Sequence, residues 1–181
     1  MRIVGTYRYH YPGVTNNIAI SLGIYTELAG HPNIVGCKMS HGNVSHHVQV
    51  ALDPAIDHSK FRLYSGFGQQ LGPIVLFGAA GVIDGLAAIY PRTVVRLFDL
   101  AAKRPVEPNA LKEMQALQFV VSRAEEMIAK WGIVGIKEGV YRVLQMGNLQ
   151  GGRLPLKGSM PQGEWESWSV AMDSMKKLEG A

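Results

Sequence analysis

The feature that most constrains this 181-residue sequence is an alternation in its first hundred residues. Four times, a short apolar run is followed by a stretch with helical periodicity. Residues 3–9 read as a strand closed by the turn signal Tyr11-Pro12-Gly13, and residues 18–29 (IAISLGIYTELA) as a helix ending at Gly30. Residues 33–37 (NIVGC) and 44–52 (VSHHVQVAL) form the second strand–helix pair, and residues 61–64 and 69–77 the third. A very short strand at 81–83 and a helix over 91–103, with Pro91 in its first turn, make the fourth. Strand–helix units at this spacing predict an α/β fold, a parallel sheet with crossover helices. A closed barrel of eight such units takes about 250 residues. Four units are half of a TIM (β/α)8 barrel.

After Lys103 the pattern changes. Residues 107–130, 132–146 and 162–179 read as three helices without intervening strands, with a glycine-containing loop over 147–160. The expected organisation is half-barrel βα units over 1–104 and a helical appendage over 105–181, together one structural unit.

Composition narrows the function classes. Cys37 is the one cysteine, so an intrachain disulfide is ruled out and a reducing compartment is the simpler reading. The net charge of +4 is spread thinly, and the densest basic clusters, Lys103-Arg104 and Lys176-Lys177, are only pairs. A nucleic-acid surface would need a basic stripe with interleaved aromatics. No apolar run approaches the roughly 20 residues of a bilayer span. The opening MRIVGTYRYHYPG lacks the apolar core of a secretion signal. The expectation is a cytoplasmic protein that engages neither nucleic acid nor membrane.

In parallel αβ architectures ligands bind beyond the carboxyl ends of the strands. Candidate chemistry therefore falls at Tyr9-His10-Tyr11, Lys38-Met39-Ser40, Ser65-Gly66 and Ile83-Asp84. Lys38 ends an apolar run. An amine among apolar groups loses hydration of its charged form, and a neutral amine can attack a ketone to form a Schiff base. The same spacing fits a lysine that merely caps a strand and points to water. Tyr9 and Tyr11 flank the first strand end, where a phenol could relay protons or simply pack. His46 and His47 are adjacent and diverge by about 100° on a helix, so rim positions are expected and a metal site is not. Gly42-Asn43 reads as a turn and helix N-cap. The segment GFGQQLGP (66–73) lacks the Gly-Lys-Ser/Thr ending of a phosphate loop. The apolar residues of 114–146 recur at helical spacing and read as core.

Taken in order, these strand ends resemble the dihydrodipicolinate synthase/N-acetylneuraminate lyase family of class I aldolases. YHYPGVT (9–15) is similar to the family's Tyr-x-x-Pro-Gly-x-Thr segment, and HPNIVGCKMSHGN (31–43) to the segment carrying its Schiff-base lysine. YSGFGQQL (64–71) and GAAGVIDG (78–85) resemble the next two strand ends, and the likeness continues through GIVGIKEGVYRVL (132–144). The resemblance implies the C-terminal half of the barrel, with Lys38 as the Schiff base, Tyr9 as proton donor and acceptor, and Ser65, Gly66 and Ile83 at the substrate. It implies a small keto acid as ligand and no metal or organic cofactor, because the imine itself is the electron sink. Within the family, HPNIVGCKMSHGNVS and GRLPLKG (152–158) look most like the fungal 2-keto-3-deoxy-L-galactonate aldolases, which cleave a 2-keto-3-deoxy sugar acid to pyruvate and an aldehyde. Val14 stands where dihydrodipicolinate synthase itself carries an arginine. That activity and 4-hydroxy-2-oxoglutarate aldolase activity are the alternatives. The family's first four strands, with the Gly-x-Thr/Ser-Gly-Glu loop that grips the pyruvate carboxylate, have no counterpart here. Thr6 and Arg8 also replace apolar residues. The expectations are impaired turnover and association through exposed sheet edges, as a homo-oligomer or as a non-catalytic partner of full-length relatives.

Overall fold

The computed structural model describes residues 5–149, 152–154 and 156–180. Four strands, β1 (Thr6–His10), β2 (Ile34–Met39), β3 (Arg62–Ser65) and β4 (Gly81–Val82), form one parallel sheet in the order β1-β2-β3-β4. Helices α1 (Leu22–Ala29), α2 (Val44–Leu52) and α3 (Leu71–Leu76) make the crossovers. The chain divides into two compact units, Met1–Ile83 and Asp84–Ala181. The fold is the expected α/β half of a TIM barrel.

Strand alternation sorts the first unit into two faces. Cys37, Met39, Leu63 and Ser65 lie fully buried on the face that the helices cover. In-register pairing brings Tyr9, Lys38 and Tyr64 into one row on the opposite face, with Tyr7, Gly36 and Arg62 in the row below. The Tyr7 ring packs over Gly36, where a Cβ would run into that ring and the Arg62 carbonyl. Strand β2 extends past the apolar run, through Lys38 to Met39, because both neighbouring strands pair with those residues. Ile3 and Val4, read as part of the first strand, lie outside the described residues.

Helix α1 starts four residues later than its apolar pattern. Asn16 and Asn17 sit at φ 53° and 56°, and the Ile18 carbonyl bonds His10 Nε2 at 3.0 Å, which ties residues 16–18 into the turn. Helix α2 matches its expected bounds and has the expected N-cap, with Asn43 Oδ1 accepting the His46 N–H at 3.0 Å.

The second unit comprises α4 (Pro91–Ala102), α5 (Pro108–Leu144), α6 (Glu164–Ser167) and α7 (Ser169–Glu179). Helix α4 groups here, and not with the βα units up to residue 104, because it packs against α5 and α7. The Glu179 carboxylate of α7 accepts the Arg92 and Thr93 N–H groups at the start of α4, each at 2.8 Å. Two expected helices join into α5, with a kink where they were expected to part. Gly132 sits there at φ 52°, ψ −134°, a conformation open essentially to glycine. The third expected helix breaks at Trp168 into α6 and α7. Glu164 staples α6 to α5 by accepting from Lys130 Nζ, Trp131 Nε1 and Trp168 Nε1, contacts that hold its carboxyl down at about 2. Among the described residues no helix is long and apolar enough to cross a membrane.

Glu125 is buried in α5 and accepts the Leu86 N–H at 3.2 Å. Burial and a hydrogen bond with Asp84 push its carboxyl up to about 9. At neutral pH Glu125 is therefore protonated.

Two outcomes follow from these positions. Gly132→Ala meets no neighbouring atom, so its cost is conformational, about 1–3 kcal/mol in a urea melt. Unfolded Glu125 releases its proton near 4.5 and folded Glu125 near 9, so its share of stability is full below the first value and lost as pH rises through the second. The thermal midpoint should fall from neutral to alkaline pH, and Glu125→Gln should flatten that fall.

Candidate functional site

The candidate residues meet at the carboxyl ends of β1, β2 and β3. Lys38 is half-buried, and its Nζ lies 4.5 Å from the centroid of the Tyr9 ring on the neighbouring strand. Ser40, only 4% exposed, donates its hydroxyl to the Tyr9 phenol oxygen at 3.2 Å. Tyr11 stacks on Tyr9 with centroids 5.9 Å apart. Gly66 backs this group. A Cβ there would strike the Ser40 side chain and stand 3.1 Å from Lys38 Cε, so the amine's stem and the serine occupy room that only glycine leaves.

The other candidates sit differently. Ser65 is buried on the helix-covered face, opposite to Lys38. Its hydroxyl donates to Gln70 Oε1 at 2.5 Å and accepts the Phe67 N–H at 3.0 Å. Ser65 thus shapes the turn behind Gly66 instead of turning its hydroxyl towards the amine. Its carbonyl accepts the Ile83 N–H at 2.8 Å, and the Ile83 side chain is exposed. Sequence reasoning placed Ser40 in a candidate segment without giving it a role, and did not single out Gln70. For Ser40 a signal existed, since a residue two beyond Lys38 falls on the same face. For Gln70 there was none.

Of the histidines expected at the rim, His46 is half-buried and only His47 departs from that position. His47 is fully buried, with Nδ1 2.8 Å from the Asn43 carbonyl and Nε2 3.0 Å from the Met39 carbonyl. His10 is buried too, bonded to the Tyr25 hydroxyl at 2.8 Å. His41 lies between His10, His46 and His47, with centroids 5.0, 5.4 and 4.7 Å away. Burial, then the three neighbouring imidazoles, hold His41 down at about 4, and burial and its neighbours lower His46 as well. Among the described residues no three His, Cys, Asp or Glu side chains converge to hold a metal.

Unfolded His41 takes up a proton near 6.5 and folded His41 near 4, so the stability tied to its neutral form is complete above 6.5 and lost as pH falls through 4. Thermal melts should show the midpoint dropping as the medium is acidified across that window. His41→Asn should shrink the drop.

Comparisons with known proteins bear on the family and the fold. The model described as "Dihydrodipicolinate synthetase family" matches residues 6–143. A protein of Emericella nidulans named "Probable 4-hydroxy-2-oxoglutarate aldolase, mitochondrial" is 30% identical over 132 residues, 73% of this chain and 40% of that protein. An L-threo-3-deoxy-hexylosonate aldolase of Hypocrea jecorina is 29% identical over 154 residues, 82% of this chain and 47% of that enzyme. The chain thus spans less than half the length of these curated relatives. Among solved structures, an E. coli K12 prophage protein of the dihydrodipicolinic acid synthase family, in complex with pyruvate, superposes with a TM-score of 0.79. It is 16% identical, and the match covers 95% of this chain and 56% of that one, a likeness of fold alone.

Proposed function

Because the chain belongs to the dihydrodipicolinate synthetase family, we propose that it carries Schiff-base aldolase chemistry on a 2-keto-3-deoxy sugar acid. The observation that carries this reading is the placement of the Lys38 amine against the Tyr9 ring, with the phenol held by Ser40. An amine and a proton carrier on adjacent strand ends are the two groups that imine-based carbon–carbon cleavage needs.

Lys38 Nζ adds to the ketone carbon, and the ketone oxygen leaves as water to give an iminium. Tyr9, having given its own proton to the departing water, takes the proton of the hydroxyl on the carbon β to the iminium. The bond between the α and β carbons breaks, its electron pair passes into the iminium as an enamine, and an aldehyde departs. Tyr9 returns the proton to the α carbon, and water hydrolyses the imine to pyruvate and free amine. The imine serves as electron sink, so no metal or organic cofactor takes part. The Ile83 N–H is committed to Ser65, so any backbone contact from Ile83 to the keto acid falls to its carbonyl. Gly66 leaves the space in which Lys38 and Ser40 approach each other.

The sugar-acid substrate is supported by Val14, whose apolar side chain offers no cation to a second carboxylate, and by the name of the Hypocrea jecorina relative. Dihydrodipicolinate synthesis and 4-hydroxy-2-oxoglutarate cleavage are the competing substrate assignments. One observation favours a second reading, a fragment that associates with its longer relatives or with itself. Strand β1 is at the end of the sheet order, and its Tyr7 and Tyr9 are 50% and 44% exposed.

Incubation of the folded chain with pyruvate and borohydride, followed by peptide mapping, tests the first reading. The expected product is a reduced pyruvate adduct on Lys38, absent in Lys38→Arg and formed about 10²–10⁴-fold more slowly in Tyr9→Phe. A folded chain that stays unlabelled would sink the aldolase reading. Sedimentation with a full-length relative would then test association.

A further inference from the structure

Gln70 has one of the most completely specified amides near the site. It is 5% exposed, and its Oε1 accepts from Ser65 Oγ at 2.5 Å while its Nε2 donates to the His41 carbonyl at 3.0 Å. The direction is unambiguous. The His41 carbonyl can only accept, so the Gln70 NH2 must face it, and the Oε1 turned towards Ser65 takes the hydroxyl proton.

What these bonds surround is Ser40. The Ser40 N–H donates to the His10 carbonyl of β1 at 2.8 Å. The carbonyl before it, of Met39, accepts the Gly66 N–H at 3.0 Å and lies 3.0 Å from His47 Nε2. The carbonyl after it, of His41, is held by Gln70. Ser40 is thus gripped on its N-terminal side by backbone pairing and on its C-terminal side by the Gln70 amide. Its 3.2 Å bond to the Tyr9 phenol is at the long end for two oxygens, so a small displacement opens it.

We propose that Gln70 is a positioning residue: through the His41 carbonyl it holds the Ser40 hydroxyl that fixes the Tyr9 phenol, and with it the ring over which the Lys38 amine lies. The catalytic part rests on the reading of Lys38 and Tyr9 given above, whereas the control of the Ser40–Tyr9 bond by Gln70 does not.

The test uses the full 181-residue chain with tyrosine labelled at Cζ with carbon-13. The Tyr9 resonance, identified by its loss in Tyr9→Phe, reports the hydrogen bond at its oxygen. Ser40→Ala sets the shift that accompanies loss of that bond. Gln70→Met keeps the volume without the amide. It should move the Tyr9 signal in the same direction, leave the Tyr90 signal in place, and move it no further when combined with Ser40→Ala. Labelling of Lys38 by pyruvate and borohydride should slow in parallel, by up to about a hundredfold. Should Gln70→Met fail to fold, Ser65→Ala, which removes the hydroxyl that orients the amide, carries the same expectation. A folded variant whose Tyr9 signal stays at the wild-type position, while Ser40→Ala moves it, overturns the proposal. So does a shifted Tyr9 signal with an unchanged labelling rate. No label on the folded wild-type chain overturns the aldolase reading instead, and the Tyr9 signal still decides whether Gln70 governs Ser40.

Discussion

The in-register pairing of Tyr9, Lys38 and Tyr64 across three parallel strands is the constraint on which the site depends. Parallel pairing at fixed register puts these side chains on one face, and alternation sends Cys37, Met39, Leu63 and Ser65 to the other. A slip of one residue in β2 would carry Lys38 under the helices and expose Met39. The apolar burial of that second face therefore enforces the position of the amine on the first.

Small packing devices refine what the register sets. Gly36 lets the Tyr7 ring lie on the sheet, and Gly66 lets Ser40 and the Lys38 stem share a volume that a methyl group would fill. Buried His47 bonds the Met39 carbonyl immediately behind Lys38, and Asn43, one residue past the Gly42 turn, caps the following helix. The polar groups at the strand ends thus brace the chain on either side of the amine, where a preorganised site needs its neighbours locked.

The second unit is governed by different physics. Its helices are held through their ends: Glu179 caps α4, Glu164 collects two donors from α5 and a third from Trp168 at the break between α6 and α7, and a protonated Glu125 serves the turn at Asp84 and Leu86. With an acid-sensitive imidazole cluster in the first unit and an alkali-sensitive carboxyl in the second, stability is bounded from both sides of neutral pH.

Local sequence was enough to establish the strand–helix alternation, the N-cap at Asn43, the break near Gly132 and the candidacy of Lys38 and Tyr9. Each depends on hydrophobic period, turn chemistry or a residue type at a strand end, all encoded within a few neighbours. The late start of α1 was not legible, because it depends on a bond from His10 to Ile18. Nor was the burial of His47, the turned-away hydroxyl of Ser65, or the bridge from Gln70 to the His41 carbonyl, 29 positions earlier. These were settled by the tertiary structure because they depend on how the turns after each strand fold back and, for Gln70, on which strand ends lie side by side. A one-dimensional pattern carries the period of each element but not the register in which they meet.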